Sequence, residues 1–101
     1  IIESSDKIAI KLCIDQRQAR YLSETPLSDD QTLKEATQKE GWSILSATVN
    51  DTAQLRWWLR AHATECEVLE PASLRQECIE YCRKTLAIYD DGNFSGQGKD
   101  V

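Results

Sequence analysis

The stretch from Leu55 to Tyr89, LRWWLRAHATECEVLEPASLRQECIEYCRKTLAIY, constrains the fold more than any other part of the chain. Cys66-Glu67-Val68-Leu69 is too short for a helix and alternates as a strand does. Pro71 ends that strand and suits the first turn of a helix, with Glu70 near the positive end of that helix. Upstream, Leu55, Trp58, Leu59 and His62 follow i, i+3, i+4, i+7, the stripe of a half-buried helix capped by Asn50, Asp51 or Thr52. Trp57 falls on the opposite side, between Arg56 and Arg60. Downstream, Leu74, Cys78, Tyr81, Cys82, Thr85, Ile88 and Tyr89 share one broad helical face, while Arg75, Glu77, Glu80, Arg83 and Lys84 occupy the rest. The spacing therefore predicts helix, strand, sharp break, helix.

A helix–strand–helix of this kind needs a sheet to pack against, and the first half of the chain supplies one. Lys7 to Ile14 alternates, with Ile8, Ile10, Leu12 and Ile14 on one face and Lys7, Ala9, Lys11 and Cys13 on a wetter one. Asp15 can cap a short helix over Gln16–Leu22 that turns Ala19 and Leu22 inward and Arg17 and Arg20 outward, and Pro26 ends it. Gln31 to Thr37 reads as a polar edge strand, its Lys34 and Glu35 guarding the edge. Gln38-Lys39-Glu40-Gly41 is a hairpin turn with Gly41 at positive φ, and Trp42 to Val49 is the second arm. The order is β-α-β-β-α-β-α. Its first six elements match the α+β, ferredoxin-like split βαβ plan, and the last helix is an addition lying on that core or across a partner.

A chain of 101 residues, 41% hydrophobic and 29% charged, fits one small globular domain of the soluble class. No apolar run nears the roughly 20 residues that span a bilayer, so no membrane partner is expected. The chain starts with Ile and holds no Met, as expected of a piece of a longer protein. We expect residues 1–6 to be a linker, 7–89 the domain, and 90–101 a disordered, glycine-rich tail. A net charge of −5 opposes the basic surface that autonomous duplex binding needs. Without a secretory pattern, the four cysteines are expected as reduced and mostly buried thiols.

Cys66-Glu67-Val68-Leu69-Glu70-Pro71, followed by Leu74-Arg75 and a closing Tyr89, resembles the C-terminal end of WYL-domain transcriptional regulators. The strand over residues 8–14, the helix after it, and a hairpin with Gly41-Trp42 at its turn are similar too. The resemblance covers roughly residues 7–90 and corresponds to the C-terminal extension, or WCX, domain. Ala61-His62-Ala63 departs from it, since relatives usually carry glycine in that turn. The resemblance implies a cytoplasmic bacterial regulator, commonly a homodimer, whose winged-helix DNA-binding domain and WYL domain lie outside this fragment. DNA contact would then run through the full-length protein, and the WYL domain would sense an effector, a nucleotide or oligonucleotide among the options. The extension would help form the dimer and border the effector site.

Four residue groups offer chemistry. His62, Cys66, Cys78 and Cys82 are all zinc-binding types, but both helical cysteines lie on the apolar stripe and no close pair sits on a turn, so core packing is the reading taken, with no metal and no cofactor. Arg56, Trp57 and Arg60, with Arg75, form an aromatic-basic patch suited first to an interface and alternatively to an effector or single-stranded nucleic acid. Trp42 and Ile44 with Lys7 and Lys11 could make a base-stacking sheet surface, though the RNP pattern is missing and burial against another domain is preferred. Glu67, Glu70 and Glu77 lack a nucleophile–base arrangement around them, so no enzymatic activity is expected.

Overall fold

The computed structural model describes residues 6–90. Seven elements follow in the expected order: β1 (Lys7–Ile14), α1 (Gln16–Glu24), β2 (Thr32–Glu35), β3 (Ser43–Asn50), α2 (Ala53–Ala61), β4 (Cys66–Glu70) and α3 (Ala72–Tyr89). β1, the most apolar strand, is paired on both sides, and the sheet order is β2-β3-β1-β4 with every neighbour antiparallel. Register stacks apolar positions across it: Leu12 faces Leu45 on one side and Val68 on the other, Ile10 faces Ala47, and Ile14 faces Cys66. The same face carries Leu33 of β2, opposite Leu45.

Onto this face pack Ala19 and Leu22 of α1, and Leu55, Trp58 and Leu59 of α2, with Leu74 of α3 completing the core. The largest fully buried side chains are Leu12, Ile14, Leu22, Leu45 and Leu74. They come from four different elements, β1, α1, β3 and α3, so one core holds the domain together.

Local chemistry sets the element ends. Asp15 caps α1, its carboxylate accepting from the Gln18 N–H at 2.9 Å. α1 runs to Glu24 rather than Leu22, because Pro26 restrains only Thr25, which becomes the C-cap. β2 is shorter than the expected 31–37 run. Gln31 leaves the strand to hold the preceding loop, accepting from the Leu27 N–H at 2.8 Å and donating to the Leu22 carbonyl at 3.0 Å. Gly41 has φ +85, as its turn position requires. Thr52 is the α2 cap, its hydroxyl accepting from the Leu55 N–H at 3.2 Å. β4 reaches Glu70, opposite Lys11, after a register shift between Lys11 and Leu12.

Two expectations change. Pro71 lies just outside α3 and not in its first turn: its backbone is extended, its carbonyl accepts from the Arg75 N–H, and the Glu70–Pro71 peptide is cis. The cysteines are all free, but only Cys13 and Cys66 are buried; Cys78 is intermediate and Cys82 exposed. The exposure of Cys82 follows from the course of α3. Its first half lies on β4 through Leu74, while Leu86, Ile88 and Tyr89 beyond it are 62%, 64% and 75% exposed. The broad apolar face of α3 is therefore only partly covered by its own domain.

The reverse face of the sheet is mixed. Ala9 is exposed and Lys11 half-buried, whereas Cys13 is buried between Ile44 and Glu67 in register. Of the expected linker and tail, residues 1–5 and 91–101 lie outside the described residues. Asp6 is tied to the sheet margin, its carbonyl accepting from the Asp51 N–H at 2.8 Å.

Candidate functional site

Several of the residues singled out in the sequence, among them Arg56, Arg60, Cys66, Arg75, Cys78 and Cys82, lie around the corner where α2, β4 and α3 meet. Arg56 projects from α2 to α3. Its Nε and Nη2 donate to the two carboxylate oxygens of Glu77 at 2.9 and 3.2 Å, and its Nη1 donates to Asp51 and to the Thr52 carbonyl. This bidentate pairing raises the Arg56 pKa and holds the Glu77 carboxyl below its usual range. Four residues along α2, the Arg60 guanidinium lies over the Tyr81 ring, 4.2 Å from its centroid, a second tie between the two helices. Trp57 stands apart, 65% exposed.

Arg75 lies at the other side of the corner. Its Nη1 donates to Glu67 at 2.9 Å and to the Val68 carbonyl at 2.7 Å, anchoring α3 to β4. Glu67 also accepts from Lys39 at 3.2 Å, and these two partners pull its carboxyl below the usual range. The four residues of the aromatic-basic patch are thus divided. Arg56 and Arg60 sit between α2 and α3, Arg75 between α3 and β4, and Trp57 in solvent. Carboxylates engage both Arg56 and Arg75, so less of their charge is offered to an anion from outside.

A hollow of about 340 Å³ opens between these elements, lined by Leu59, Ala63, Cys66, Glu67, Val68, Arg75, Cys78, Ile79 and Cys82. Three of the four residues in the cysteine–histidine group line it; His62 does not. The His62 ring instead sits 4.7 Å from the Trp58 ring, its Nδ1 3.2 Å from Gln18 Nε2 and 3.4 Å from Glu65 Oε1. Burial pushes the Cys66 thiol up to about 12 and also raises Cys78, which makes both poor nucleophiles at neutral pH. Among the described residues, no group of three His, Cys, Asp or Glu is placed to hold a metal ion.

The remaining groups are likewise engaged. Glu67, Glu70 and Glu77 face separate cations, with Glu70 3.8 Å from Lys11. Trp42 is half-buried with the Lys39 ammonium 4.3 Å from its ring centroid. Two residues escape sequence reasoning. Gln18 is only 7% exposed and donates to Glu65 at 3.1 Å, while its Oε1 has no protein partner. Asp30 accepts from the Ser28 hydroxyl and, at 2.9 Å, from the Thr48 N–H, which pull its carboxyl down to about 2.

Among the described residues no helix is long and apolar enough to cross a membrane. Neither the curated proteins nor the solved structures yield a match. The family model described as the WCX domain matches residues 6–86, which takes in the whole sheet, α1, α2 and most of α3. By that match, the chain belongs to the WCX domain family.

Proposed function

We propose that this chain is the regulatory C-terminal domain of a cytoplasmic, WYL-type DNA-binding transcriptional regulator. It serves as a dimer scaffold that couples effector occupancy in the WYL domain to the spacing of the winged-helix heads. We read its sheet order β2-β3-β1-β4, with α1 and α2 on one face, as the ferredoxin-like plan extended by α3. The observation that carries the scaffold reading is the uncovered apolar half of α3 on a domain whose core is otherwise complete. A monomer rarely leaves so many large apolar side chains together in water. The charged groups at the corner act in packing rather than catalysis, each arginine joining two elements. Coupling requires that effector binding favour one arrangement of the dimer over another, which fixes the separation of the two DNA-reading heads.

The test is removal of residues 6–90 from the full-length regulator. The truncated protein is expected to lose stable dimerisation in sedimentation and to lose the effector-dependent change in operator affinity. A truncated regulator that remains dimeric and responsive would overturn the reading.

An alternative reading, a module that binds an effector or single-stranded nucleic acid, rests on the exposure of Trp57 next to Arg60. Salt-sensitive binding of oligonucleotides by this chain, abolished in Trp57→Ala, would favour it.

A further inference from the structure

Ile79, Cys82, Leu86 and Tyr89 follow one another at intervals of three, four and three residues along α3. That is the spacing of a coiled-coil seam. The seam differs from the stripe that α3 gives to its own core, which begins at Leu74 and Cys78. Leu86 and Tyr89 on it are 62% and 75% exposed, and on the adjoining face Ile88 and Tyr81, in line with Leu74 at seven-residue intervals, are 64% and 40% exposed. Together they hold on the order of 400 Å² of apolar surface in water, at the level that marks an interaction site.

We infer that α3 pairs antiparallel with α3 of a second copy of this chain, about a two-fold axis level with Lys84. The inference rests on the scaffold reading above and names the surface that forms the dimer. Three features choose a second copy over another occupant. First, the seam is self-complementary. A two-fold at Lys84 sets Ile79 opposite the partner's Tyr89 and Cys82 opposite the partner's Leu86, so each small or medium side chain meets a large one and the reverse holds across the axis. Second, Ile79 and Cys82 line the hollow of about 340 Å³ at the corner, and this register brings the partner's Tyr89 to its mouth. An aromatic ring in a preformed apolar hollow is the anchor typical of stable interfaces. Third, the charges fit. The antiparallel arrangement brings Asp90 and the negative C-terminal end of one helix within a turn of Arg75 on the other, and opposes the two helix dipoles. Arg75 retains donors for this role, since only its Nη1 is used toward Glu67 and Val68.

The test mixes two chains, one carrying native Cys82 and the other Cys82→Ser with Leu86→Cys. Under mild oxidation an intermolecular disulfide between Cys82 and the introduced thiol is expected, identified by peptide mapping. It should be missing when the second chain carries Cys82→Ser with Leu86→Ser. Sedimentation of Leu86→Asp runs alongside. That position is exposed in the folded domain, so circular dichroism should be unchanged while self-association weakens by roughly thirtyfold or more. A dimer that forms no such disulfide and withstands Leu86→Asp would overturn the α3 pairing and leave the scaffold reading intact. A chain that is monomeric at every concentration would overturn both, and would leave the seam to be covered by another domain of the full-length protein.

Discussion

Replacing Leu74 with alanine is expected to cost about 2.5 to 4 kcal/mol of folding stability. Leu74 is 1% exposed and is the one residue of α3 that is fully buried. Losing its hydrocarbon removes about 2.4 kcal/mol at roughly 0.8 kcal/mol per carbon. A void of about 60 Å³ that fails to collapse adds about 1.4 kcal/mol at ~24 cal/mol per Å³. For a domain near 100 residues, whose total stability is on the order of 5 to 15 kcal/mol, that is a large share. The assay is urea unfolding followed by tryptophan fluorescence, where a slope of about 1 kcal/mol/M converts the loss into a midpoint lower by about 3 M. Leu86→Ala is the matched control. It makes the same chemical change at a 62% exposed site on the same helix, and its effect on the monomer should stay within about 0.5 kcal/mol. A cost below about 1 kcal/mol for Leu74→Ala, or an equal cost for the two variants, would refute the view that the first half of α3 is bolted to the core and the second half is not.

Three further outcomes follow from the corner and its charges. Arg56→Met should cost about 1 kcal/mol, because it frees Glu77 and Asp51 to water; amide exchange should quicken in α3 and not in β1, and uniform exchange would contradict the tie. Glu67→Gln should cost about 0.5 kcal/mol at neutral pH, given a half-exposed pair. Since the folded Glu67 pKa lies below 4.5, its contribution is present above that pH and fades as the pH falls through the depressed value, so wild type and variant should converge in acid and a constant gap would argue against the pairing. Alkylation in dilute folded protein should label Cys82 readily and Cys66 only on unfolding, whereas equal rates would contradict the burial that holds Cys66 near 12.

Much of the fold can be read from local pattern. The alternation of β1 gives its observed ends, Asp15 and Gly41 act where their chemistry requires, and the stripe of α2 faces inward with Trp57 outward. What pattern misses depends on distance. Nothing near Gln18 announces that it will be buried against His62 and Glu65, 44 and 47 residues away. Arg56 looks available to an anion until the fold brings Glu77 within reach, and Arg75 until Glu67 arrives from β4. Cys13 sits on the wetter face by parity, yet neighbouring strands bury it. The stripe of α3 predicts one continuous buried face, but the domain covers only its beginning, because the sheet ends at β4 and the helix does not.

The account turns on whether that uncovered helix joins two copies. Sedimentation equilibrium of the 101-residue chain, from low micromolar to several hundred micromolar, tests this most directly. The account predicts a mass rising to twice the monomer value for the wild type and held at the monomer value across the range for Leu86→Asp. A wild-type chain that stays at monomer mass throughout would contradict it.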